Sequence, residues 1–222
     1  TCKLNLDNSI KFFKNIFNLG TCKKIIVAGT CWEYNIYKGP CDPKVKGSPH
    51  NYFTWSKHSL KDWLDIESKN NNVNLIWLRI FYAYGPYQRS ASLLPTIFDS
   101  LIRGKYPNIK NIYNKNDFIF VHDVAKIFYN SIYNQIKSGV YNCSSGKSTS
   151  VLKLISLAEK LVNKDNHLSK KLKSKNINKS NINFWGNNNL TKKYFYPLNL
   201  HTLEEGVKIS YEHFVKFNKN AN

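Results

Sequence analysis

The sequence predicts an α/β protein built on a doubly wound parallel sheet, and three observations carry that prediction. Helix and strand signals alternate through residues 9–79, the order of half a doubly wound sheet. Two of the strands, the one opening at Lys24 and Asn74–Arg79 (NLIWLR), are continuous apolar runs of the kind buried on both faces of a parallel sheet. The first run, Ile25 to Ala28, ends at Gly29 and Thr30, which places a hydroxyl at a carboxyl-terminal strand end. In open α/β sheets that edge is where ligands bind.

Each element has a local cause. Ser9–Asn18 carries Ile10, Phe12, Phe13, Ile16 and Phe17 at helical spacing, and Leu19-Gly20 stops it. The strand at Lys24 follows. Tyr34–Gly47 is rich in Gly, Pro, Lys and Asp and is expected to be an active-site loop. Tyr52–Lys57 (YFTWSK), preceded by Ser48 and Pro49, opens a helix with an apolar stripe of Leu60, Trp63, Leu64 and Ile66 that runs to about Ser68. Its polar side can present Lys57 to the crevice at Thr30. After the strand Asn74–Arg79, Ser92–Arg103 forms an amphipathic helix that Gly104 can end. Ser148-Thr149-Ser150 caps a helix whose stripe is Val151, Leu154, Ile155, Ala158 and Leu161.

Composition limits the alternatives. At 222 residues the chain can bury one large or two small cores, and 42% apolar with 14% aromatic residues is not a disordered tail. No run of about 18 apolar residues predicts a membrane span, and no basic-then-apolar amino-terminal segment resembles a signal peptide, so a cytoplasmic location and no membrane partner are expected. The net charge of +19 comes from lysines scattered among Asn and Ile, the usage an AT-rich genome produces, and no groove-reading motif accompanies it. No nucleic-acid partner is expected. The one dense cluster, Lys170, Lys171, Lys173, Lys175 and Lys179, lies among Asn and Ser and is expected to be a solvated loop. Five cysteines without C-x-x-C spacing and six dispersed histidines predict neither a disulfide framework nor a metal site. Gly146-Lys147-Ser148 lacks the earlier glycine of a phosphate loop, since position 141 is Tyr141.

A strand-end Thr followed by a helical Lys resembles the layout of the extended short-chain dehydrogenase/reductases of the NAD-dependent epimerase/dehydratase kind. Further runs resemble that family: Arg79–Pro86 (RIFYAYGP) with Leu78, where the chain leaves the dinucleotide half; Asn116–Val124 (NDFIFVHDV), leading to a helix to about Asn134; Tyr141–Gly146 (YNCSSG), a strand; and Leu203–Gly206 (LEEG), opening the last helix. The resemblance extends over about residues 9–215. Within the family it leans toward nucleotide-sugar 4-reductases and 6-deoxy-talose 4-dehydrogenases. It implies the C-terminal part of a Rossmann-like sheet plus a smaller α/β substrate-binding domain: residues 1–85 in the NAD(P)-binding part, and 86–222 mainly in the substrate part, with about 117–135 returning to the first.

The resemblance also implies a mechanism. Thr30 hydrogen-bonds the sugar oxygen, Lys57 holds the nicotinamide ribose of NAD or NADP, and a helical Tyr moves the proton while hydride passes at a sugar carbon. The partner is a nucleotide-diphosphate sugar, with Tyr82, Gln88, Arg89 and Asn116 as contacts and Tyr82 also near the cofactor. A homodimer through the Lys57 helix and its predecessor is implied as well. Four residues before Lys57, however, stands Phe53 instead of the family's Tyr. Tyr52 is one residue, roughly 100°, away. Three explanations are open: Tyr52 swings in through a distorted helix start, Thr30 with a water relays the proton, or the protein is a noncatalytic nucleotide-sugar binder or degenerate fragment. Losing acid–base help typically costs on the order of 10²–10⁴ in rate. Cys31 and Trp32 replace the Asp-Glu of the family's dehydratases, which argues against elimination of water and leaves epimerisation or 4-keto reduction. The family's Gly-x-x-Gly-x-x-Gly pyrophosphate cradle is absent from the sequence. A chain lacking its first strands is therefore expected, binding dinucleotide poorly alone and leaving the Lys24 strand with an uncovered edge.

Overall fold

A computed structural model describes residues 1–165, 167–175 and 182–219. In chain order the elements are α1 (Cys2–Asn18), β1 (Lys24–Thr30), a 3-10 turn (Cys31–Tyr34), β2 (Lys38–Cys41), α2 (Tyr52–Asn70), β3 (Asn74–Ile80) and β4 (Tyr82–Tyr84). There follow α3 (Leu93–Ile102), β5 (Lys115–Asn116), β6 (Phe118–Phe120), α4 (Val121–Tyr133), β7 (Gly139–Cys143), β8 (Thr149–Ser150), α5 (Val151–Val162), α6 (His167–Lys175), β9 (Asn183–Gly186), α7 (Asn189–Tyr194) and α8 (Leu203–Lys219).

The first sheet has the order β1-β3-β7, with both pairings parallel. Its middle strand explains its own sequence. On β3, Leu75 and Trp77 point to a core shared with α1 and α2 that includes Phe17 and Leu64. Ile76 and Leu78 point to the opposite core, where Ile127 of α4 and Phe195 pack. Both faces are dry, so the run carries no polar alternation. Lys24 fixes α4 to this sheet. Its ammonium donates to the carbonyls of Ser131 and Ile132 at 2.8 Å each and of Asn134 at 3.1 Å, closing a helix C-terminus with a cation.

The second sheet has the order β2-β9-β5-β8, and β4 pairs with β6 as a separate parallel ribbon. Around them α3, α5 and α8 enclose the largest core, with Ile97, Phe98, Leu154, Ile155, Ala158 and Val207 buried. A fourth core of Cys31, Tyr34, Cys41, Phe81 and Phe184 joins the two sheets immediately behind the end of β1. Asp117 acts as a buried staple there, accepting from the Ser145 amide (2.7 Å), the Gly146 amide (2.9 Å) and the Gly186 amide (3.2 Å).

Three expectations are corrected. The strand at Lys24 is less buried on one face: Ile25 and Val27 are buried, Ile26 is partly buried against the α4 core and Ala28 is exposed, while the expected uncovered edge is seen in β1 lying at the edge of its sheet among the described residues. Tyr34–Gly47 is not all loop, since β2 pairs with β9 in parallel. The lysine cluster is not a loop where it is described. Lys170, Lys171, Lys173 and Lys175 lie on α6, and Lys179 falls outside the described residues.

Candidate active site at the carboxyl edge of the first sheet

The turn after β1 is built by a reciprocal cap. Thr30 Oγ1 accepts from the Trp32 amide at 3.4 Å, and Glu33 Oε1 accepts from the Thr30 amide at 2.7 Å. Among the described residues the Thr30 hydroxyl has no acceptor for its own proton beside the Trp32 amide it accepts from. The Glu33 carboxylate is wholly buried and also accepts from Trp77 Nε1 and Arg79 Nε, each at 3.1 Å. Arg79 is 1% exposed, donates from Nη1 to the Val45 carbonyl at 3.0 Å, and lies over the Tyr34 ring at 4.3 Å. Burial pushes the Tyr34 phenol up to about 12, against the pull of Arg79. Gly29 is required at this point because a Cβ there would collide with Trp77 Nε1 and Glu33 Oε1. The loop is tied to the same turn through the Ser48 amide, which donates to the Glu33 carbonyl at 2.7 Å.

Lys57 reaches this edge from α2. Its Nζ donates to the Ala28 carbonyl at 2.9 Å, two residues before Thr30 on the strand. Partial burial lowers the ammonium's pKa, and the negative charge of Glu33 opposes that shift. The helix start that delivers Lys57 is regular. Asn51 Oδ1 accepts from the Thr54 amide at 2.9 Å, and Thr54 Oγ1 accepts from the Asn51 amide at 3.2 Å. That capping box leaves Phe53 46% exposed and Tyr52 81% exposed.

The remaining sequence-selected residues divide into two groups. Tyr82, at the start of β4, lies in an aromatic cluster beside the turn after β1: its ring meets Trp32 at 6.0 Å, Phe118 at 5.9 Å and Phe184 at 6.1 Å, and burial raises its phenol pKa. Asn116 on β5 is buried, and its Oδ1 has no hydrogen-bond partner among the described residues. Gln88 is held instead within its own loop, accepting from the Gly85 amide and donating to the Ala83 carbonyl, both at 3.4 Å. It lines a separate cavity of about 220 Å³ with Tyr87, Phe98 and His213. Arg89 is exposed. Sequence reasoning missed the Glu33–Arg79 pair, although Thr-x-x-Glu after a strand is a legible capping signal. Among the described residues no cluster of three His, Cys, Asp or Glu is placed for a metal ion, and no helix is long and apolar enough to cross a membrane.

This arrangement offers a hydroxyl donor and an ammonium at one strand edge, bordered by aromatic rings. It can polarise an oxygen and hold a polyol, but no phenol stands on α2 facing that edge.

The model of the NAD dependent epimerase/dehydratase family matches residues 5–144. An ADP-L-glycero-D-manno-heptose-6-epimerase of Fusobacterium nucleatum is 26% identical over 91% of this chain and 69% of its own length. The dTDP-4-dehydro-6-deoxyglucose reductase of Escherichia coli is 31% identical over 73% of this chain and 53% of its own. The dTDP-6-deoxy-L-talose 4-dehydrogenase of Aggregatibacter actinomycetemcomitans is 28% identical over 66% and 54% respectively. The chain thus spans about half the length of the latter two relatives. Among solved structures, UDP-glucose 4-epimerase of Thermotoga maritima with UDP-glucose superposes with a TM-score of 0.77 at 20% identity, over 98% of this chain and 69% of that one. The dTDP-glucose 4,6-dehydratase of Bacillus anthracis in complex with NAD gives 0.77 at 18% identity, over 95% and 67%. Both likenesses are of fold.

Proposed function

The chain belongs to the NAD dependent epimerase/dehydratase family, and from that premise we propose that it modifies a nucleotide-diphosphate sugar by hydride transfer at a sugar carbon, as an epimerase or a 4-keto reductase. The observation that carries this reading is that Lys57 Nζ bonds the Ala28 carbonyl on the same strand end that carries the Thr30 hydroxyl. The Thr30 hydroxyl donates a hydrogen bond to the sugar oxygen. Lys57, already bonded to a backbone carbonyl at that edge, turns to the ribose hydroxyls beside the nicotinamide. These residues fit the nicotinamide end of NAD or NADP, which when bound supplies or accepts the hydride. The sequence holds no Gly-x-x-Gly-x-x-Gly cradle for the pyrophosphate end. Arg89 is proposed to face the sugar diphosphate by charge, and Asn116 to accept from a substrate hydroxyl through its unpaired amide oxygen.

A second reading, a noncatalytic nucleotide-sugar binder, is favoured by one observation. Phe53 occupies the family's phenol position, and the regular first turn of α2 leaves Tyr52 turned to solvent. Phe53→Tyr separates the two. Turnover of a nucleotide sugar with NAD(P) that rises roughly 10²-fold or more in this variant supports a latent active site. No turnover in the variant, with the nucleotide sugar still bound, supports the binder.

A further inference from the structure

Resting on the reading of the Thr30 edge as a nucleotide-sugar site, we infer that Trp32 and Tyr82 form an aromatic wall that selects a 6-deoxy hexose over a sugar carrying a hydroxymethyl or carboxylate at C6. The wall's position is fixed by the turn after β1. The Trp32 amide donates to Thr30 Oγ1 at 3.4 Å, so the indole begins two residues from the proposed sugar-oxygen donor. Trp32 is 37% exposed, a large ring partly open to solvent. It meets Tyr82 edge-on at 6.0 Å and 62°, and His50 at 6.3 Å and 50°. Behind Tyr82 stand Phe118 and Phe184, at 5.9 and 6.1 Å.

Sugar geometry brings C6 to this wall. In a hexopyranose whose C4 oxygen meets Thr30, C6 is only two bonds from C4 and falls within reach of a ring two residues along the chain. A methyl there buries apolar surface against indole and phenol rings. A hydroxyl there gives up water for a largely aromatic surface. A carboxylate needs a cation, and Arg79, the arginine of the neighbouring strand, is 1% exposed and bonded to Glu33 and the Val45 carbonyl. Lys57 lies on the Ala28 carbonyl and is assigned to the ribose. His50 is the ionisable ring that borders Trp32, with its amide donating to Thr54 Oγ1.

The test compares UDP-6-deoxygalactose, UDP-galactose and UDP-galacturonate, which differ only at C6, by calorimetry on the full-length protein, and repeats the first two as dTDP sugars. The expected order is deoxy, hydroxyl, carboxylate, with roughly 10- to 100-fold between the first two. Trp32→Phe should retain that ratio, and Trp32→Ala should reduce it to about threefold or less. Subtracting the fluorescence of Trp32→Phe from that of the wild type isolates one of five indoles, and its emission should saturate with the deoxy sugar. This second readout does not depend on the Ala variant folding. Equal affinities, or a preference for the uronate through His50, overturn the wall while leaving the nucleotide-sugar site standing. Failure of every sugar, and of UDP and dTDP, to bind overturns the site itself.

Discussion

The Glu33 carboxylate accepts from the Thr30 amide, the Trp77 indole and the Arg79 guanidinium, so one buried residue sets the turn that aims Thr30 and neutralises a fully buried cation. Replacing one partner of a buried pair leaves the other uncompensated. Glu33→Gln should therefore lower unfolding stability by about 3–5 kcal/mol, read from the urea midpoint. The same change reaches Lys57. Burial holds its folded pKa below the ordinary 10.5, so the unfolded chain binds more protons between the folded value and 10.5, and stability from this group rises with pH across that window. Glu33 opposes the lowering, so Glu33→Gln should move the alkaline titration of Lys57, followed by its ¹³Cε shift, to lower pH. An unmoved titration would remove Glu33 from the electrostatics of the site. Thr30 and Lys57 were legible as residues because each lies on an element with a strong local pattern. The Glu33–Arg79 pair was not, because its partners are 46 positions apart and only the fold brings them together.

At the scale of elements, α2 depends on its start. Asn51 and Thr54 satisfy amides that the helix cannot, and Asn51→Ala should cost about 1 kcal/mol in thermal or urea unfolding. Little change would show that tertiary contacts alone hold the first turn. Long periodic elements were readable from sequence: β3 from its unbroken apolar run, α3 from its stripe and Gly104, and α5 from its Ser150 cap. Strands β2, β5, β8 and β9 have two to four residues each, too few for a period, and exist through distant pairing. Helix α6 has a weak stripe, and beside a local bond from the His167 amide to Asp165 at 3.2 Å its start relies on a remote acceptor. The Leu168 and Ser169 amides donate to the buried Glu159 carboxylate on α5 at 2.6 and 2.9 Å, so Asp165 is the local signal and the rest of the cap comes from another helix. Expecting β1 to be covered on both faces failed at Ala28, since an apolar run does not say how far the packing helices reach along each face.

Across the whole molecule, the two sheets meet behind Thr30, and the candidate site draws on several elements: Thr30 from β1, Lys57 from α2 and Tyr82 from the β4–β6 ribbon, with buried Phe184 of the second sheet behind Tyr82. Helices α1 and α2 pack together on one face of the first sheet and expose Leu4, Phe12 and Ile66. We propose that this face self-associates as a homodimer. Light scattering should give twice the 25.8 kDa chain mass, and Phe12→Glu should return it to the monomer mass; a wild-type monomer would dismiss the proposal. In the proposed function a nucleotide sugar meets the Thr30 hydroxyl at the end of β1. The most direct measurement of this is the affinity of that sugar for Thr30→Val beside Thr30→Ser. Loss of the hydroxyl should weaken binding about 3- to 10-fold, the worth of one hydrogen bond, while the serine variant binds as the wild type does. Equal affinity in all three proteins would place the sugar elsewhere.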